Sequence, residues 1–120
     1  MVNTIVRKGE IRHFTDLQIW CLSKELNEQF GISAQIKDAV VSISANIAEG
    51  FGRYHYLDKI KFYLNSRGSL LETESHLRIA QALGFISQQD ISLLNEILID
   101  CKNLNIKINN FINSTRRLTT

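Results

Sequence analysis

The sequence predicts an all-α protein, an antiparallel up-and-down four-helix bundle with a shortened first helix. Three observations carry this. Apolar residues recur three and four positions apart over long stretches, which is the period of a helix face. No proline occurs in the 120 residues, so glycine alone punctuates the pattern. Two long amphipathic stretches are joined by only a few residues, which makes them antiparallel neighbours. A chain of this length makes one domain, 1–120, with an ordered core over about residues 14–114.

Taken in order, residues 1–13 carry no clear period. Thr15 or Asp16 caps the first helix, and the amide dipoles at that end favour Asp16. Its apolar face, Leu17, Trp20, Cys21, Leu26 and Phe30, is an imperfect stripe about 22 Å long that ends near Gly31. Ser33 caps the second helix, in which Ile36, Ala39, Val40, Ile43 and Ile47 share one face. Ala45, Ala48 and the polar Ser42, Ser44 and Asn46 break the alternation a strand would need. Small residues on most sides mark this helix as the central one, and Gly50 and Gly52 stop it.

The third helix spans from about Tyr54–Tyr56 to Leu83, with Leu57, Ile60, Leu64, Leu71, Leu77, Ala80 and Leu83 on its inner face. Gly68 interrupts it at a cost of up to about 1 kcal/mol against alanine, which implies a close helix crossing or a slight bend. Gly84 is the C-cap, with Phe85 folded back on the last turn. Ser87 or Asp90 opens the fourth helix. Ile91, Leu94, Leu98, Cys101, Leu104 or Asn105, Ile108 and Phe111–Ile112 follow at helical spacing, and the pattern stops after Ser114. The third and fourth helices are each about 40 Å long.

Hydrophobic content of 44% supports a packed core rather than disorder. Cys21 and Cys101 both sit inside apolar patterns without a CxxC, so they are expected as buried thiols in a reducing compartment. Two cysteines and three scattered histidines make no structural zinc site. Glu72 and His76 are four apart, but no second such pair stands on another helix, so an ordinary pairing is expected. No metal and no cofactor are expected. No apolar run reaches membrane-spanning length and no apolar leader opens the chain, so the expected address is the cytoplasm, with no membrane partner.

The net charge of +2 is unevenly laid out. Residues 53–67 carry +3 and residues 102–120 carry +4, against −3 over 15–52 and −4 over 68–101. Brought together, the basic segments would form a modest surface for an anionic partner. Arg53, Lys59, Lys61, Arg116 and Arg117 are the nucleic-acid-binding candidates, for RNA or DNA without sequence preference. Tyr54, Tyr56 and Tyr63 interleave with these bases. That is the composition of a nucleic-acid stacking strip and equally of a homo-oligomer interface, the use preferred for the tyrosines.

Asn46, Glu49, Arg67 and Glu74 lie beside apolar stripes, so a mutually paired buried polar network is expected of them. Removing Glu49 would then cost about 2–4 kcal/mol. Catalysis is not expected, because no nucleophile or pocket-forming loop accompanies these carboxylates. Gly50-Phe51-Gly52-Arg53 is not a phosphate loop either, since it lacks the lysine followed by serine or threonine of a Walker loop and the preceding strand of a Rossmann loop.

The chain resembles the bacterial proteins encoded within intervening sequences of 23S ribosomal RNA genes, also called S23-type proteins. The resemblance starts at Phe14-Thr15-Asp16-Leu17-Gln18-Ile19-Trp20. It continues through Ile32-Ser33-Ala34-Gln35-Ile36-Lys37-Asp38-Ala39 and Val41-Ser42-Ile43-Ser44-Ala45-Asn46-Ile47-Ala48-Glu49-Gly50-Phe51-Gly52-Arg53. It resumes at Phe62, Arg67-Gly68-Ser69-Leu70 and Glu72-Thr73-Glu74 and closes with Ala80 through Phe85. Ser44 stands where the family usually has proline, and the stretch after Trp20 is about a dozen residues short. The resemblance implies a left-handed antiparallel four-helix bundle that assembles into a ring, commonly a homopentamer, with no enzymatic activity. A related accessory protein of diversity-generating retroelements is a basic pentameric bundle that binds nucleic acid. The expected function is therefore a non-catalytic homo-oligomeric bundle associated with an rRNA intervening sequence, with weak non-specific nucleic-acid binding. The alternative is a structural or protein-interaction module with no nucleic-acid role.

Overall fold

The computed structural model describes residues 31–119, and the expected first helix, with Thr15, Asp16, Trp20 and Cys21, lies outside them. The described residues form α1 (Ile32–Phe51), α2 (Tyr56–Ala82), a 3-10 turn (Gln88–Asp90) and α3 (Ile91–Arg117), with no strand among them. The all-α class holds, and three of the four expected helices are present among the described residues. Among the described helices, α2 packs closely against both α1 and α3.

In α1 the expected face is the buried one: Ile36, Ala39, Val40, Ile43 and Ile47 all lie in the core. Each fully buried isoleucine contributes about 1.5–3 kcal/mol relative to exposure. The cap differs from expectation. Gly31, at φ +61°, holds the N-cap position, and the Gln35 N–H donates to Gly31 O at 3.1 Å. Ser33 is instead buried within the first turn. The far end differs too. The helix continues through Gly50 to Phe51, and Gly52 is the cap residue, its N–H donating to Ala48 O at 3.1 Å.

The inner face of α2 is Ile60, Tyr63, Ser66, Leu70, Thr73, Leu77 and Ala80. Leu57, Leu71 and Leu83, expected inside, are 72%, 48% and 49% exposed. The helix is rotated from the phase its leucines suggest because two small polar residues hold core positions. Ser66 Oγ donates to Ile43 O on α1 at 2.7 Å, and Thr73 Oγ1 donates to Ser69 O at 2.9 Å. With their polar groups satisfied, these short side chains bring α1 and α2 close. Gly68 does not mark that approach. A Cβ built there meets nothing within 4 Å. Gly68→Ala is therefore expected to stabilise the protein by about 0.5–1 kcal/mol, read as a raised denaturant midpoint.

The α2 C-terminus closes as expected around Gly84, at φ +75°. The Phe85 N–H donates to Ala80 O at 2.9 Å and the Gly84 N–H to Gln81 O at 3.0 Å, the paired bonds of a Schellman motif. Phe85 folds back against the core. Ser87 Oγ then donates to the Asp90 carboxylate at 2.9 Å just before α3.

On α3, Leu94, Ile97, Cys101, Leu104, Ile108 and Ile112 are buried. The helix also runs one turn beyond the expected stop at Ser114, because Thr115 is itself buried and donates through Oγ1 to Phe111 O at 2.8 Å. Burial, reinforced by the negative charge of Glu74, pushes the Cys101 thiol up from 9.0 to about 12, with Arg78 opposing. The unfolded thiol therefore releases its proton before the folded one does. Stability from this group is complete below pH 9 and is lost as pH rises towards about 12. Burial raises Tyr63 as well, with the same sign. Denaturant midpoints are expected to fall between about pH 9 and about pH 12, and to fall less steeply in Cys101→Ala.

Candidate functional site

The up-down-up course of the helices brings the end of α1, the start of α2 and the end of α3 to one end of the molecule. All five cations singled out in the sequence stand on these segments: Arg53, Lys59, Lys61, Arg116 and Arg117. The acids on the same segments are Glu49 and Asp58. The same end exposes large apolar rings and chains. Tyr54 is 89% exposed, Leu118 59%, and Phe51 and Tyr56 43% each.

Two of the cations are held by the fold. Lys59 reaches back from α2 to the end of α1, where its Nζ donates to Phe51 O at 2.8 Å and more weakly to Gly50 O at 3.5 Å. It thereby satisfies carbonyls that a helix end leaves open and sits favourably at the negative end of the α1 dipole. Its ammonium also lies 5.7 Å from the centre of the Phe51 ring. Arg53 donates to Glu49 Oε1 at 2.6 Å and lies 4.7 Å over the Phe62 ring. Lys61 and Arg116 are exposed, and their side chains make no ion pair among the described residues. Arg116 and Arg117 occupy the last turn of α3, where positive charge is favoured.

The tyrosines divide. Tyr54 and Tyr56 are exposed, and the Tyr54 ring stands edge-on to His55 at 5.1 Å. Tyr63, grouped with them as an interface candidate, is only 2% exposed and packs inside the same chain against Phe111, 4.8 Å between ring centres. Its place on the face of Ile60 and Leu70 turns it inward, so it offers nothing to another subunit.

The expected network of Asn46, Glu49, Arg67 and Glu74 is not formed among the described residues. Each finds a different partner. Asn46 Nδ2 donates to Ser42 O at 2.8 Å and Ser42 Oγ at 2.9 Å, and Ser69 Oγ on α2 donates to that same hydroxyl at 2.9 Å. Arg67 Nη1 donates to Asn109 Oδ1 on α3 at 2.8 Å. Glu74 faces Arg78 at 3.6 Å, and Glu49 pairs with Arg53. The reason is helical phase. Ile43, Ile47 and Gly50 set the inner face of α1, and Glu49 projects away from it. Because the Glu49–Arg53 pair is exposed on both sides, Glu49→Ala is now expected to change stability by no more than about 0.5 kcal/mol in a denaturant titration. Glu72 and His76 pair at 3.3 Å, as their spacing suggested.

Phe62, Phe111, Ser69 and Leu118 take part in this end or in the seam that supports it, and sequence reasoning did not single them out for it. Phe62 carried one usable signal, its place within the aromatic-basic strip. The others act through contacts between helices, which no local spacing encodes. Between Phe51, Tyr56, Tyr63, Phe111 and Leu118 lies an apolar hollow of about 140 Å3, with Lys59 on its wall. Tyr56 and Leu118 also line a shallower groove of about 430 Å3 beside His55 and Leu57. No cluster of three or more metal-ligating side chains occurs among the described residues, and no described helix is long and apolar enough to cross a membrane.

The described residues thus define a packed all-helical fold with one cationic, aromatic end. The chain belongs to the 23S rRNA-intervening sequence protein family, whose sequence model matches residues 12–108. A crystal structure of a protein with unknown function from the S23 ribosomal protein family of Bacteroides thetaiotaomicron has the same fold. It superposes with a TM-score of 0.74 over 93% of this chain and 98% of that chain, at 21% identity. No curated protein matches the chain.

Proposed function

We propose that the protein is a non-catalytic homo-oligomeric helical bundle whose basic end binds nucleic-acid backbone weakly and without reading sequence. The observation that carries this is the convergence of Arg53, Lys59, Lys61, Arg116 and Arg117 on one end, against only Glu49 and Asp58. One such end is a modest charge. A ring of subunits, with a pentamer as the expected size, would repeat it and raise avidity. Contacts between subunits are better sought on the helix flanks, where Val41, Leu71, Ile99 and Ile106 are each about half exposed, than at the tyrosines. Joining copies through the tyrosine-bearing end would press like charges together.

Sedimentation equilibrium is expected to give a species several times the 13.7 kDa chain. A monomer at micromolar concentration would remove the avidity on which binding depends. Affinity for structured RNA is expected to fall steeply between about 50 and about 200 mM salt, as phosphate contacts require. Lys61→Gln with Arg116→Gln should lower the slope by about two and weaken unrelated sequences alike. The second reading, a protein-interaction module without a nucleic-acid role, draws on the internal contacts of Arg53 and Lys59. It takes over if the intact oligomer binds no RNA at low salt.

A further inference from the structure

We infer that this end takes single-stranded nucleic acid in preference to duplex, by seating an unpaired base in the apolar hollow beside Tyr56 while the cations of the same end hold the phosphates. The inference rests on the proposed nucleic-acid role and names the form of ligand. It starts from a combination that electrostatics alone does not need. Duplex backbone calls for cations, yet this end also presents Tyr54 at 89% exposure, and Tyr56, Phe51 and Leu118 line an apolar hollow. Nothing in the packing of the three helices requires these side chains to face outward.

The hollow is the right kind of space for one planar ring. Its walls are almost wholly apolar, its volume is about 140 Å3, and Tyr63 and Phe111 form its inner side from positions fixed in the core. Tyr56 and Leu118 line both the hollow and the wider groove, so a ring entering the hollow leaves its neighbours along His55 and Leu57. Paired bases cannot reach such a site, because their faces are already stacked. An unpaired base can, and stacking accepts any base because each presents a π-face. Charge selects the occupant. A purely apolar partner, or a second copy of this end, would meet Lys59 on the wall of the hollow and the charge of Arg53, Lys61, Arg116 and Arg117 on the same helix ends, whereas a phosphodiester chain is complementary to them.

The test uses the full chain and two fluorescent probes, an oligo(U) of about 16 nucleotides and a blunt RNA duplex of matched charge, at about 50 mM salt. Fluorescence anisotropy is expected to show tighter binding to oligo(U). Tyr56→Ala should weaken oligo(U) about tenfold and Leu118→Ala should weaken it in the same sense, both at residues that line the hollow, with the duplex affinity and the salt slope unchanged. Tyr56→Phe should bind as the unsubstituted protein does. Leu118 lines the hollow and is 59% exposed, so Leu118→Ala keeps the test decisive if Tyr56→Ala fails to fold. Equal affinity for both probes, or Tyr56→Ala and Leu118→Ala variants that bind oligo(U) normally, would overturn base seating while leaving the electrostatic reading intact. Absence of binding to either probe would overturn both.

Discussion

Gly50→Ala is expected to destabilise the protein by about 2 kcal/mol, although it replaces a helical glycine with the best helix former. An added Cβ at this position would lie 2.7 Å from Tyr63 Cε1, 2.9 Å from Phe62 Cβ and 3.0 Å from Tyr63 Cδ1. The ring of Tyr63 cannot swing aside, since it is 2% exposed and wedged against Phe111. Phe62 Cβ is fixed by the backbone of α2. Overpacking of this kind costs about 1–3 kcal/mol and occasionally more, and the contact with a backbone-fixed atom puts it at the upper end. The propensity gain of up to about 1 kcal/mol offsets only part of that. Chemical denaturation of Gly50→Ala beside Gly68→Ala isolates the cause, because the two substitutions have the same propensity change and opposite expected signs. A Gly50→Ala midpoint at or above that of the unsubstituted protein would mean that α1 and α2 are not in close contact there.

Gly50 also shows what the sequence could and could not reveal. Its position after Asn46 and Glu49 signals the end of a helix, and α1 does end just beyond it, at Phe51. That the same residue is where two helices approach depends on Tyr63, thirteen positions away, and no spacing rule reaches across a turn. The inner face of α1 was legible because isoleucines at 36, 43 and 47 repeat at helical spacing with nothing to compete. The face of α2 was not. Leucines stand on both sides of it, and the positions that decide its rotation are Ser66 and Thr73, which hydropathy counts as outward. The five cations were legible as charges. The engagement of Lys59 with Phe51 O and Gly50 O was not, because a backbone carbonyl has no letter in the sequence. The polar network failed for the same reason as the leucine face. Nearness in sequence to apolar residues does not fix the angle of a side chain around its helix, and Glu49 lies off the face of Ile43, Ile47 and Gly50.

Ser66→Leu is expected to cost about 3 kcal/mol or more, while Leu71→Ser should cost only about 1 kcal/mol. Judged by hydrophobicity alone, the order would be reversed. Ser66 is fully buried, and its Oγ lies 2.7 Å from Ile43 O, so the space beyond its Cβ is already occupied by the α1 backbone. Leucine there must push the two helices apart along a seam that also carries the Ser69–Ser42 hydrogen bond at 2.9 Å. Leu71 is 48% exposed and surrenders only part of the transfer energy of a leucine. Ser66→Ala separates volume from hydrogen bonding. Ile43 O keeps its partner within α1 when the hydroxyl is removed, so the loss should stay near 1 kcal/mol. Denaturant midpoints for the three variants should therefore order as Ser66→Leu lowest, with Ser66→Ala and Leu71→Ser close together above it. If Leu71→Ser proves the most damaging, α2 is rotated towards its leucines, and the contact between α1 and α2 described above is the wrong one.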